Sequence, residues 1–435
     1  MRAGAGLLVL GAALAGTPAR ASLFDAYGFG ARAASMAGAH AAFADDYTGV
    51  FYNPGALAQR KRAHVGLGVD GLFPDLGLTY ADGRPDEAPP AAMPDPNVGA
   101  HLGVLFPLGG LIENRVALGI GLFLPAIQVT RVEALDPQTP QAYRYGALPD
   151  KLNLAVAAAF ELAPGWAVGA GFHFLGGLDG TADVQLDLLT QRFTRKDLRV
   201  DVTGAAGLTL GLHVQPTDTL RLGLSFRDDL RLDYRLLTRI DLLDTGLLEA
   251  DIRGVALYTP QQYTLGVAWA ARADLDLTAD VVWSRWSQAP DPAAVFKVVL
   301  DGEPLGLGEL EAATTPVDLA AQDTLAPRLG AEWRPAEGWA VRGGYAWQPT
   351  PLPAQTGFAN YVDSDTHQLG LGGGVTFADP LAIHRSPITL DLAVQLTWMR
   401  GRAHAKADPA DVHGAGYEAG GPIWHAAFTF RHDFD

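Results

Sequence analysis

Apolar and polar residues alternate along most of the chain with a period of two. From Leu390 to Arg400, Leu390, Leu392, Val394, Leu396 and Trp398 fall on one parity, and Asp391, Ala393, Gln395 and Thr397 on the other. Leu220, Leu222, Leu224 and Phe226 alternate in the same way with Arg221, Gly223, Ser225 and Arg227, as do Leu275, Leu277, Val281 and Trp283 with Asp276, Thr278, Asp280 and Ser284. A strand sends successive side chains to opposite faces, whereas helical spacing fits none of these stretches. The pattern predicts fourteen strands, near 62–73, 97–108, 115–128, 150–163, 166–178, 198–215, 219–234, 260–272, 275–288, 324–334, 338–349, 366–377, 387–400 and 422–434.

The connections set the architecture. Those after even-numbered strands are mostly short and rich in turn formers, as at Pro164-Gly165, Ala273-Asp274 and Pro335-Ala336-Glu337. Those after odd-numbered strands are long, as at 74–96, 129–149, 179–197, 235–259, 289–323, 350–365 and 401–421. Strict alternation of short turns and long loops is the mark of an antiparallel transmembrane β-barrel, with turns in the periplasm and loops outside. The last strand sets Trp424, Ala426, Phe428, Phe430 and Phe434 on one face, an aromatic C-terminal strand similar to the insertion signal of outer-membrane barrels, with Asp435 added after it.

Composition narrows the setting. Arg2, an apolar run from Ala5 to Ala15 and the small-x-small site before Ser22 predict a cleaved signal peptide at 1–21. The run is too short to span a bilayer. The chain has no cysteine, which removes disulfide frameworks and cysteine-ligated metals. The formal net charge is −16, and loss of Arg2 and Arg20 with no acid takes it to −18, so nucleic acid is not an expected partner.

Residues 22–60 do not follow the strand pattern. The stretch Gly30 to Leu57 is dense in Gly and Ala, carries Asp45-Asp46 and ends in Tyr52-Asn53-Pro54. Pro54 fixes its own φ and restricts Asn53, so the tip is expected to be stiff. The segment is predicted to be a hatch inside the lumen, with the barrel occupying 61–435. Here the sequence resembles the FadL/TodX family of outer-membrane transporters for long-chain fatty acids and other hydrophobic compounds. The resemblance rests on Gly30-Ala31-Arg32, Asp45-Asp46 and Tyr52-Asn53-Pro54, with Gly55-Ala56-Leu57 where the family usually has Ala-Gly-Leu. It implies passive, hatch-gated transport by a monomer set among lipopolysaccharide, with Asp45, Asp46, Asn53, Pro54 and Gly55 forming the gate. Gly119, Gly121 and Pro125 resemble the family's kinked strand beside a lateral opening. A related hatch occurs in PorV-type accessory barrels of protein secretion, which is the alternative reading.

A hydrophobic ligand needs a place of capture. The connection at 235–259 is unusually apolar for an external loop, and Leu242, Leu243, Leu247 and Leu248 are its candidate contacts. By strand parity Arg221, Arg227, Arg328 and Arg342 point inward and are candidate partners for a ligand carboxylate, unless they pair with inward acids such as Glu332 and Asp280. Gly66-Leu67-Gly68-Val69-Asp70-Gly71 fits a dinucleotide fingerprint only as a bare string, because no helix follows to receive a pyrophosphate. No His-Glu-x-x-His motif, nucleophile elbow or compact histidine cluster is present, so neither metal, cofactor nor enzymatic activity is expected.

Overall fold

The computed structural model describes residues 28–434 apart from 84–87, 89, 110–114, 127–135, 147–151, 188–191, 242–246, 302–307, 315, 381–384 and 409. Fourteen strands form the wall: β1 (Ala63–Pro74), β2 (Asn97–Leu108), β3 (Val116–Pro125), β4 (Asn153–Ala163), β5 (Trp166–Asp187), β6 (Arg192–Thr217), β7 (Leu220–Arg227), β8 (Gln262–Arg272), β9 (Leu275–Ser284), β10 (Thr324–Trp333), β11 (Trp339–Gln348), β12 (Thr366–Phe377), β13 (Ile388–Ala405) and β14 (Gly416–Phe434). Each pairs antiparallel with its neighbours in sequence order, and β1 closes on β14 from Ala63↔Phe434 to Pro74↔Ile423. Closure gives every strand two partners, the condition for backbone amides to lie in hydrocarbon.

Alternation decides which residues face lipid. On β13, Leu392 is 62% exposed while Asp391 is fully buried, and on β12 Leu371 is 70% exposed. The apolar parity therefore points outward and the small or polar parity inward. Eight of the nine tryptophans fall into two belts. Trp166, Trp269, Trp333 and Trp339 lie near the short turns, and Trp283, Trp347, Trp398 and Trp424 near the long loops. Amphipathic rings settle at the headgroup level, so the belts mark both membrane interfaces. Trp286, the ninth, is buried among the outer loops.

Several expectations change. The predicted strand 219–234 breaks at Asp228-Asp229: β7 ends at Arg227, which pairs with Gln262 of β8. The chain from Leu230 then leaves the wall. Segment 235–259 is not a loop but part of a hairpin, Leu230–Asp241 with Leu247–Thr259. This hairpin pairs in parallel with the projecting end of β5, and on its other side with Val295–Asp301 and then Glu309–Ala313. The result is a sheet standing above the external rim. At the same end, β13 and β14 run past the predicted limits to Ala405 and from Gly416. Predicted positions 286–288 form a 3₁₀ turn.

The outward assignment is open to direct measurement. Leu392→Arg places a charge in the hydrocarbon and is expected to lower folding stability by about 2–4 kcal/mol, while luminal Thr397→Ala changes it by less than about 1 kcal/mol. Denaturant titration of the barrel in lipid vesicles reports both values.

Candidate functional site in the plugged lumen

Residues 28–60 occupy the lumen. They comprise α1 (Ala31–Ser35), α2 (Gly49–Tyr52) and a 3₁₀ turn at Pro54–Gln59, all packed on inward faces of the wall. Gly30 precedes α1 with φ of 84°, a conformation side-chain-bearing residues resist, and the Ala31 amide donates to Thr429 Oγ1 of β14 at 3.0 Å. Tyr52 Oη receives the Phe29 amide at 2.9 Å.

Glycine on the inward parity makes the seat. A Cβ on Gly66 or Gly103 would lie 2.0 or 1.8 Å from the Tyr47 ring, and one on Gly344 would lie 2.2 Å from the Met36 carbonyl carbon. At the tip, a Cβ on Gly169 would meet the Pro54 carbonyl carbon at 2.4 Å, and one on Gly211 the Asn53 Oδ1 at 2.2 Å. Asn53 is fully buried. Its Nδ2 donates to the carbonyls of Ala41 (2.9 Å) and Leu212 (3.0 Å), and its Oδ1 accepts from the Gly55 amide at 3.1 Å. One amide thus ties the tip to itself, to the body of the hatch and to β6. Gly55 itself sits where an added Cβ would be 3.0 Å from the carbonyls of Ala167 and Gly211.

Charge holds the opposite flank. Arg32 bonds Asp45 and reaches Glu332 Oε2 at 3.0 Å; Arg342 reaches Glu332 at 2.6 Å and Asp391 at 2.7 Å. Arg431 bridges Asp391 and, at 3.3 Å, Asp46. Hatch and wall therefore share one alternating network. Burial raises the Asp46 carboxyl, but Arg431 and Arg32 outweigh it and hold the group well below the usual carboxylate range. Across the lumen, the amides of His40 (2.8 Å) and Ala41 (2.9 Å) donate to Asp280 Oδ2 of β9.

The network answers for the candidate arginines. Arg342 is spent on Glu332 and Asp391, and Arg221 on Asp276 at 3.0 Å. Arg227 donates to Gln262 Oε1 and lies over the Phe51 ring at 4.1 Å. Arg328 donates to the Gly38 carbonyl at 3.3 Å and has no carboxylate within ion-pair distance among the described residues. Gly119 and Gly121 are not at a break: β3 is paired on both edges without a register shift from Val116 to Phe123, while Leu124 and Pro125 pair, among the described residues, with β2 alone. Both face the hatch, with Leu57 2.9 Å from a Cβ on Gly119, and Phe29 and Val50 2.9 Å from one on Gly121. Pro125 ends the strand opposite Gly99.

Of the capture candidates, Leu242 and Leu243 lie outside the described residues. Leu248 pairs with Ile240 and Leu300, while Leu247 pairs with Asp241 and Asp301, so the two occupy opposite faces of the external sheet. One face carries Leu236, Ile240, Leu248, Ile252, Phe296 and Leu300; the other carries the ion pairs Arg235–Asp251 and Lys297–Glu311. Sequence reading missed Tyr47, the glycine seat beyond the Gly66–Gly71 stretch of β1, and the Arg431 bridge, although a count of glycines on the inward parity would have pointed to the rest of the seat.

These features define an outer-membrane β-barrel whose lumen is filled by its own N-terminal segment. The chain matches the family described as "Outer membrane protein transport protein (OMPP1/FadL/TodX)" over residues 12–420, and it belongs to that family. It is 22% identical over 394 residues to alkane uptake protein A of Marinobacter nauticus, covering 84% of this chain and 81% of that protein. Among solved structures, it resembles a Pseudomonas aeruginosa FadL homologue with a TM-score of 0.59 at 15% identity, covering 97% of this chain and 100% of the other. It also resembles the P. putida toluene transporter TodX, with a TM-score of 0.59 at 16% identity over 94% of this chain and 99% of the other. The family match favours transport over the secretion-accessory reading. The chain is thus a member of an outer-membrane transport-protein family with a plugged barrel.

Two outcomes test the seat. Gly211→Val is expected to displace the Asn53 tip at a cost of about 1–3 kcal/mol and to expose the hatch to protease added from the periplasmic side. Gly343→Ala, whose added carbon meets nothing nearer than 3.6 Å, leaves the hatch protected. The second concerns His40, fully buried, with neither ring nitrogen hydrogen-bonded among the described residues. Burial, and then the Arg32 charge, push its imidazole down to about 4. The unfolded chain then takes up this proton near pH 6.5 while the folded one does not, so stability falls as pH drops through that window. The difference in melting temperature between wild type and His40→Leu is therefore expected to shift against the wild type between about pH 8 and about pH 5; a constant difference excludes this role.

Proposed function

We propose that the protein carries long-chain hydrophobic molecules, fatty acids or alkanes, passively across the outer membrane, with residues 28–60 as the gate. The observation that carries this reading is the seating of the hatch. It fills the lumen through close small-residue contacts, one polar tip and a shared charge network, none of them part of the wall's own ladder, so displacing it opens space without breaking the wall. The apolar face of the external sheet, Leu236, Ile240, Leu248 and Phe296 among it, supplies a surface for capture. Each methylene buried there contributes about 0.8 kcal/mol, so chain length sets affinity and no energy source is needed.

Exit is sideways into lipid, beside β3. Gly119 and Gly121 give the wall no inner side chain, and Leu57, Val50 and Phe29 cover that strip. Movement of the hatch bares it, and Pro125 at the strand end has no amide to donate to a ladder. For an acid ligand, Arg328 is the carboxylate partner, because the wall acids already engage Arg221 and Arg342.

The test is uptake of labelled oleate and hexadecane by a Gram-negative host lacking its own fatty-acid transporter. Wild type is expected to raise uptake, and Arg328→Leu to lower oleate entry about ten-fold while sparing hexadecane, the scale of one charge-assisted hydrogen bond. A correctly inserted barrel that raises neither ligand's uptake refutes the reading.

A further inference from the structure

Among the described residues, two outer segments also meet as a cap over the external end of the lumen. Residues 136–146 turn inward, and Gln141–Ala142 pairs in parallel with Tyr361–Val362. The Gln141 amide donates to the Asn360 carbonyl at 3.0 Å, and the Tyr143 amide to Val362 at 2.9 Å. Arg144 is buried and its guanidinium donates three ways: to Asp363 Oδ1 (2.9 Å), to the Ser364 carbonyl (2.6 Å) and to the Pro349 carbonyl (3.2 Å). Tyr143 packs against Trp286 with the rings tilted at 53° and centroids 5.7 Å apart, and Tyr145 Oη meets Thr366 Oγ1 of β12 at 3.0 Å.

The two halves of this cap are not held alike. The 349–365 half runs directly into β12, and Arg402 of β13 donates to the carbonyls of Leu352 (2.7 Å) and Asp363 (3.2 Å). The Gln355 amide adds a bond to His404 at 3.0 Å. The 136–146 half meets the strands of the wall through Tyr145; its other bonds run to the fixed half, chiefly from Arg144, and to neighbouring loops, where the Ala92 amide donates to the Pro140 carbonyl at 2.7 Å and His413 Nε2 meets the Gln138 carbonyl at 2.7 Å. Two cavities that share Gln262 and Arg328 lie in the lumen, the first against the cap and the second against the hatch. One, lined by Arg144, Trp286, Ser284 and Arg328, holds about 40 Å³; the other, lined by Phe51, Tyr52, Asp280 and Arg328, holds about 10 Å³. The first accommodates a few waters and the second about one, whereas a ligand site takes roughly 300–1,000 Å³.

From this we infer that residues 136–146 form a second, external gate that closes against the fixed 349–365 segment, and that the lumen is a compartment with a door at each end. The inference rests on the transport reading for its purpose, but its geometry is testable without any ligand. Ser284 faces the compartment under the cap. The absence of native cysteine makes a single introduced thiol a clean reporter.

The experiment compares Ser284→Cys alone with the same change in an Ala142→Cys/Val362→Cys background, oxidised so that the cap is stapled. Paired strands lie about 4.8 Å apart, within disulfide reach. Cells are treated with a membrane-impermeant maleimide, and modification at position 284 is read by peptide mass. Stapling is expected to slow labelling about ten-fold, because thiol reactivity follows access, and reductant followed by reoxidation returns each rate in turn. Equal labelling in stapled and unstapled barrels overturns the gate whatever the ligand. Oleate and hexadecane uptake on the same cells separates the claims. Loss on stapling, with recovery in reductant, supports the gate. Undiminished uptake through a fully stapled cap overturns it and leaves the transport reading standing. Absence of uptake in the wild type refutes the transport reading, while the labelling rates still decide the gate.

Discussion

In hydrocarbon, every backbone amide and carbonyl of the wall must find its partner within the wall. The pairing of β1 with β14 from Ala63↔Phe434 to Pro74↔Ile423 completes that ladder, and the rest of the structure depends on it. A closed ladder fixes the alternation, so each strand offers lipid one parity and the lumen the other. Because hydrogen bonds rather than side-chain packing hold the wall, the inward parity is free to shrink to glycine. That freedom lets Tyr47, Met36 and the Asn53-Pro54 tip rest directly on backbone, as Gly66, Gly103, Gly344, Gly169 and Gly211 show.

Backbone contact alone gives a seat without polarity. The charges of the turn-side flank supply it: Arg32, Asp45 and Asp46 of the hatch interleave with Glu332, Arg342, Asp391 and Arg431 of four strands. Each buried charge has an opposite partner, and removal of one leaves its neighbour uncompensated at a cost of about 3–5 kcal/mol. Such a network resists partial displacement and, in the proposed gating role, would return the hatch to a single register when it reseats. Asp280, receiving two successive hatch amides, does the same on the far side.

The wall was legible because alternation and turn chemistry are local. Each of the fourteen wall strands overlaps a stretch the period-two pattern marks, with 219–234 cut at Arg227 and several ends shifted, and Leu390 to Trp398 or Trp424 to Phe434 need no more than parity to be oriented. The external sheet was not legible, because its strands pair across long separations, as in Leu236 with Gly180 and Ile252 with Phe296. Its amphipathic face mixes Leu248 on one side with Leu247 on the other, which a leucine count merges into one apolar loop. The hatch was legible in the missing strand pattern of 22–60 and in a resemblance at Arg32, Asp45-Asp46 and Asn53-Pro54; its partners were hidden, since parity says that Arg342 and Arg431 point inward but not what they meet. Gly119 and Gly121 show the limit most plainly. The same glycines suit a kink or a seat, and only the partner strand and the hatch decide for the seat.

The most direct test of the hatch as gate is a lock on the hatch itself. A Cβ on Gly330 of β10 would lie 3.4 Å from that of Ala39, near the separation a disulfide needs. The measurement is hexadecane uptake by Ala39→Cys/Gly330→Cys barrels at matched surface level, oxidised and then reduced. The account predicts that the cross-linked barrel loses uptake about ten-fold, as expected where an opening step limits flux, and regains it in reductant. Wild-type uptake through a barrel shown to be fully cross-linked contradicts the account.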